Sequence, residues 1–132
     1  MKQLIGTDKV VEYLGRWSPS DLAYIEALSY TSKMNGDISN LRIVALFQLR
    51  ERTTKGWPSD KAPFARVSID FSGVSNFRVK NLGPQPKQIM GFDILDVSDR
   101  GLEDICFSVV DYEHDQVSFN CQKISVFNVE GL

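Results

Sequence analysis

The chain has 132 residues, of which 42% are apolar and 24% charged, with a formal net charge of −2 at pH 7. This length predicts a single domain over residues 1–132, because each half alone would be too short to bury a core. The slightly negative balance argues against nucleic acid as the partner, since neutralising phosphates requires a basic surface. No apolar run approaches the ~20 residues that cross a bilayer, and no secretory signal is visible, so we expect no membrane partner and a cytoplasmic location.

The first predicted element is a short helix over residues 9–14. Thr7 or Asp8 can cap its start, and Gly15 ends it. Residues 17–21 then break the helical period, which predicts an ordered loop anchored by Trp17.

From residue 24 onward the apolar period changes to two, which is typical of half-buried strands. Asn35-Gly36 favours a hairpin turn after the first strand. The predicted strands cover residues 24–31, 41–49, 64–71, 74–82, 92–97, 105–112 and 117–127.

The last strand contains two apolar runs of opposite parity, and a bulge near Gln122-Lys123 would bring both to one side. Sequential hairpins predict mainly antiparallel pairing. The predicted fold class is α+β, mainly β, with about seven strands in a curved sheet or small sandwich and one short N-terminal helix.

A long polar loop is predicted over residues 51–63, and loops of this length in a compact domain are often functional. Trp57 is its one large aromatic residue. Two interpretations are open: an anchor at an interface, where Trp is enriched, or a lid packed over the edge of the core.

Carboxylates are concentrated between residues 93 and 115. This stretch contains eight acids and one cation, Arg100, which gives a local charge of −7. The eight acids are Asp93, Asp96, Asp99, Glu103, Asp104, Asp111, Glu113 and Asp115. The stretch is predicted to attract a basic protein partner. The alternative is a solvated hairpin face that keeps the protein soluble.

Residues suited to catalysis or metal binding are sparse. The one histidine, His114, is predicted at a hairpin tip, which offers no cleft for an acyl-transfer base. Cys106 and Cys121 form no C-x-x-C pair, so two reduced thiols are expected rather than a metal site or disulfide framework. We therefore expect no cofactor, no metal and no catalytic residue.

Three short segments carry a resemblance to a known family: residues 17–21, 92–94 and 117–121. Together they resemble immunity proteins of bacterial polymorphic toxin systems, specifically the immunity protein 50 type. The resemblance implies a cytoplasmic protein that binds and neutralises a cognate toxin without catalysis of its own.

The leading hypothesis is thus a non-catalytic protein that binds a basic partner, such as a cognate toxin, through the eight acids and Trp57. One alternative is a small hydrolase that uses clustered carboxylates, with or without a metal ion. A further alternative is an assembly domain whose exposed strand edge pairs with a copy of itself. The sequence leaves the oligomeric state open.

Overall fold

Two β-sheets enclose one apolar core in the computed structural model. The structure describes residues 4–32, 39–49, 57–58, 62–80, 87–88, 91–100, 105–111 and 117–131. In chain order the strands are β1 (Leu4–Ile5), β2 (Leu22–Thr31), β3 (Asn40–Phe47), β4 (Ala65–Ser72), β5 (Ser75–Val79), β6 (Lys87–Gln88), β7 (Phe92–Asp96), β8 (Phe107–Asp111), β9 (Val117–Cys121) and β10 (Lys123–Gly131).

The larger sheet has six strands in the order β1-β10-β4-β3-β2-β6, and the smaller sheet has four in the order β5-β9-β8-β7. Within the described residues every pairing is antiparallel except that of β1 with β10. The predicted fold class is confirmed, in its sandwich form. The predicted number of strands was too low, because two-residue strands such as β1 have no readable period.

The N-terminal helix α1 spans Asp8–Leu14, one residue longer than predicted. Thr7 is its N-cap, without a side-chain capping bond, and Gly15 ends it in the left-handed conformation at φ 87°. The helix packs against β10 and β4 and places Val10 in the shared core. The left-handed conformation after a helix favours glycine, because glycine lacks a Cβ. The end of the helix could therefore be predicted from the sequence.

The core lies between the inner faces of the two sheets. The alternation predicted for β3 is confirmed, since Leu41, Ile43, Ala45 and Phe47 are all buried. Phe71 of β4 contacts Phe119 of β9 edge to face, with ring centroids 4.8 Å apart. This contact joins the two sheets, and such pairs add to the stabilisation gained by burying each ring.

The predicted bulge at Gln122-Lys123 was wrong. At Gln122 the chain leaves the smaller sheet and enters the larger one, and the Gln122 N–H donates to the Ser72 carbonyl oxygen at 2.9 Å. The parity of the inward residues changes because β9 and β10 face the core from opposite sides. The register of β10 against β4 is irregular further on, between Val126 and Asn128.

Some predicted segments lie outside the described residues, among them the Asn35-Gly36 turn and most of the loop over 51–63. β2 and β3 do pair antiparallel, up to the pair Thr31 and Asn40. The strand predicted over 74–82 is shorter in the structure, where β5 ends at Val79.

The contact between the sheets gives a first prediction. Phe119→Ala should lower the free energy of unfolding by about 3–5 kcal/mol, because it removes a buried ring that contacts both Phe71 and Phe77. Urea denaturation followed by circular dichroism measures the loss. Leu95→Ala is the control, since Leu95 is 48% exposed and its change should stay within about 0.5 kcal/mol. Equal losses for the two variants would contradict the prediction.

Candidate partner-binding surfaces

The predicted acidic residues do not share one face. Of the eight, the structure describes Asp93, Asp96, Asp99 and Asp111, all on or beside the hairpin of β7 and β8. Glu103, Asp104, Glu113 and Asp115 lie outside the described residues.

Two acids mark the end of β7. Asp96 is its last residue, and Asp99 lies in the short 3-10 turn Ser98–Arg100; both are exposed. The Ser98 hydroxyl and backbone N–H both donate to Asp96 Oδ1, at 2.6 and 3.0 Å. These bonds favour the charged form and lower the pKa of Asp96, the side-chain bond most. The carboxylate is thus oriented and ionised at the end of the hairpin.

Asp111 is a structural residue. It is 3% exposed, and its carboxylate accepts the backbone N–H of Val117 at 3.0 Å. It pairs with Phe92, at the opposite end of the hairpin from Asp96. We predicted Asp111 as a partner-binding residue, but its burial removes it from the exposed acidic set, because inward parity on β8 turns it away from solvent.

Trp57 lies against the edge of the core. Its side chain is half-buried, and its indole Nε1–H donates to the Gln48 carbonyl oxygen at 3.1 Å. Gln48 is itself 1% exposed and donates from Nε2 to the Ala62 carbonyl oxygen at 2.8 Å. This geometry favours the lid interpretation of Trp57 over the interface anchor.

An ion pair with a buried carboxylate and a half-exposed arginine, near Trp57, was not predicted from the sequence. Arg16 donates two hydrogen bonds to Asp21, at 2.6 and 3.0 Å, and Asp21 is fully buried. The Asp21 carbonyl oxygen also accepts the Gln48 N–H at 2.9 Å. The predicted anchor in this loop is confirmed, since Trp17 stacks on Phe47 with centroids 5.9 Å apart. The only available signal for the ion pair was an Arg and an Asp flanking an ordered loop.

The outer face of the larger sheet, which we call the paired face, carries cross-strand ion pairs. Arg42 binds Asp70 through two bonds, and its guanidinium lies 4.4 Å from the Phe127 ring centroid. Arg66 binds Glu26 and also Glu130. Hydrogen bonds to Asp70 and Glu26 raise the pKa of Arg42 and of Arg66, respectively. Sequence could not reveal these pairs, because their members are at least 28 residues apart.

The outer face of the smaller sheet, which we call the open face, has a different character. A shallow groove of about 360 Å³ crosses it, with a floor of small side chains. One cross-strand row on this face consists of Asp93, Val110, Ser118 and Arg78. The next row includes Leu95, Ser108 and Asn120. Asp93 is half-buried, whereas Arg78 is exposed.

Cys106 directly precedes β8 and lies beside Cys121, the last residue of β9, and both are free thiols. The Cys106 N–H donates to the Cys121 carbonyl oxygen at 3.0 Å. Burial, with a smaller contribution from Cys106, raises the pKa of Cys121 to about 12. A thiol with so high a pKa is protonated at neutral pH and is a poor nucleophile.

Within the described ranges, no group of three or more His, Cys, Asp or Glu side chains is arranged to hold a metal ion. In the same part of the chain, no helix has the length and apolar character required to span a membrane.

The burial of the Asp21 carboxylate predicts a difference between two aspartates. Asp21→Ala should lower the free energy of unfolding by about 1–3 kcal/mol, since it removes two charge-assisted hydrogen bonds from a buried position. Asp70→Ala is the matched control and should cost much less, because the Arg42–Asp70 pair is exposed. Denaturation midpoints of both variants test this, and a greater loss for Asp70→Ala would refute it.

The Asp96 carboxylate gives a prediction about pH. Its pKa in the folded state lies below the ordinary value, so its hydrogen bonds stabilise the fold above the ordinary pKa, and that contribution is lost as pH falls through the folded pKa. Ser98→Ala should raise the pKa of Asp96 toward the ordinary value. A carboxyl NMR titration of the wild-type and Ser98→Ala proteins measures this change in pKa. An unchanged Asp96 midpoint would exclude Ser98 as the cause.

The chain was also compared with known proteins. A family model described as immunity protein PIM8 matches residues 6–127, which include α1 and nearly all of the sandwich. No curated protein and no solved structure gave a significant match. The match supports the immunity-protein class that the sequence predicts, although not the type 50 assignment. The chain therefore belongs to the PIM8 family of immunity proteins.

Proposed function

We propose that this chain neutralises a cognate bacterial toxin in the cytoplasm by binding it, without making or breaking bonds itself. The observation that carries the proposal is the family match, which spans residues 6–127 and so includes both sheets. An immunity protein acts by occupying its toxin, and a rigid sandwich with two broad outer faces suits that task.

The positions of the acids support binding over the hydrolase alternative. A glycosidase-type site needs two carboxyl groups about 5–9.5 Å apart across a cleft. Asp93 and Asp96, two of the acids considered for such a site, instead have opposite parity on β7 and project from opposite sides of the sheet. Asp111 is moreover engaged with the Val117 N–H.

We propose that the partner presents basic residues to the C-terminal end of β7. Asp96 and Asp99 are exposed there, and Asp96 is held in its ionised form by Ser98. Fixed negative charges at an edge raise the rate at which a cationic surface arrives in the correct orientation. We propose Asp93, Asp96 and Asp99 as partner-binding residues. Glu103 and Asp104 follow Asp99 in the sequence, Glu113 and Asp115 follow Asp111, and all four belong to the same proposal. Trp57 is proposed to support the chain next to Gln48.

Neutralisation is tested by co-expressing this chain with any growth-arresting toxin domain that the genes adjacent to its own encode. Growth should be restored by this chain and should remain arrested with an immunity protein of a different family. Continued arrest with both, with the chain expressed and folded, would overturn the proposed function.

The proposed electrostatic attraction is tested separately. The rate at which this chain associates with the same toxin domain is measured by stopped flow. Asp99→Lys should slow association several-fold at low salt, and the difference should shrink as salt screens the charges. Glu12→Lys is the matched control: it makes the same charge change on an exposed position of α1, which packs against the larger sheet. Equal rates for the Asp99→Lys and wild-type proteins at low salt would remove the basic partner from the proposal.

A further inference from the structure

We propose that the toxin docks on the open face, and that it presents a cation toward β7 and an anion toward β5. This inference rests on the proposed function and adds to it the surface and the charge pattern of the partner. It follows from the register of four strands and from a contrast between the two outer faces.

The charge pattern comes from one cross-strand row. Asp93 pairs with Val110, Val110 with Ser118, and Ser118 with Arg78, so the row begins and ends with opposite charges. Side chains of directly paired residues project on the same side of a sheet. Three strand spacings of roughly 4.8 Å separate the charges by about 14 Å. That distance is too long for Asp93 and Arg78 to pair with each other.

The contrast with the paired face indicates which charges are available. There, Arg42 and Arg66 are engaged with Asp70, Glu26 and Glu130 on neighbouring strands. Among the described residues, neither Asp93 nor Arg78 has an ion pair or a side-chain hydrogen bond. A partner on the paired face would have to break existing pairs, whereas a partner on the open face gains new ones.

The centre of the open face suits close approach by another protein. Ser108, Ser118 and Asn120 are short, and with Val110 they form the floor of the groove of about 360 Å³. Leu95, which pairs with Ser108 on the same face, is 48% exposed beside it. A floor of small side chains next to an exposed apolar side chain accepts a protruding aromatic or aliphatic side chain, the kind of anchor on which interface affinity depends.

The orientation of the partner follows from the position of the acids. Asp93 lies on the open face of β7, and Asp96 and Asp99 are exposed at and just beyond the end of the same strand, so negative charge is concentrated on the β7 side of the smaller sheet. Arg78 lies on β5, at the other side of the sheet. The basic part of the toxin is therefore proposed to cover β7, and an acidic residue to reach β5.

The test compares the same substitution on the two faces. Ser118→Trp fills the groove on the open face, and Ser125→Trp places the same ring at a half-buried serine on the paired face. Binding to the toxin domain that the co-expression test identifies is measured by titration calorimetry. We expect Ser118→Trp to weaken binding at least about tenfold, and Ser125→Trp to bind as the wild type does. Circular dichroism and thermal midpoints confirm folding of both.

A second variant avoids the core altogether. Arg78→Glu changes an exposed residue and should weaken binding about threefold to tenfold, with a smaller effect at high salt. If Ser118→Trp fails to fold, Arg78→Glu decides the question.

The possible results separate the two proposals. If the wild type does not bind the toxin domain, the proposed function fails. If the wild type binds and both Ser118→Trp and Arg78→Glu bind equally well, only the open face is overturned. If light scattering shows that the wild type self-associates and that Ser118→Trp abolishes this, the occupant is a second copy and the inference is also overturned.

Discussion

The fold depends on the burial of two sheet faces against each other. Neither sheet would be stable in water with its inner face exposed, because these faces are apolar. The larger sheet buries Ile69 and Phe71 there, and the smaller sheet buries Phe119. The edge-to-face contact between Phe71 and Phe119 lies at this junction. Once both inner faces are buried, each sheet has one outer face left, and these two faces differ in how their charges are used.

Much of this architecture was predictable because burial imposes a period of two on the sequence. The helix boundaries, the β3 alternation and the Trp17 anchor all have local causes and were found. The crossing at Gln122 was misread as a bulge, because a change of parity looks the same in sequence whether the strand bulges or changes sheets. Distinguishing them requires knowing which strands lie opposite, which is not local information.

The candidate surface was predicted less well, for a related reason. Counting carboxylates identified an acidic stretch, but not the side of the strand to which each acid belongs. Asp93 proved to lie on an outer face, Asp96 at a strand end, and Asp111 inside, accepting a backbone hydrogen bond. The role of Arg78 could not be predicted from the sequence. It depends on a cross-strand row that spans four strands and more than forty residues of chain. The number of charged residues therefore indicates the sign of the partner's charge, whereas the strand register indicates where the partner can bind.

The corner at Gln122 has a consequence for how sequences of this family can vary in length. A single residue joins β9 to β10. Because successive Cα atoms are about 3.8 Å apart, the end of β9 and the start of β10 must stay close together at this corner. The Gln122 N–H also ties the corner to Ser72 at the end of β4. An inserted or deleted residue there would reverse which side of β10 faces inward and expose Ile124 and Val126. Insertions and deletions should therefore be found in the connections elsewhere in the chain and be excluded from this corner.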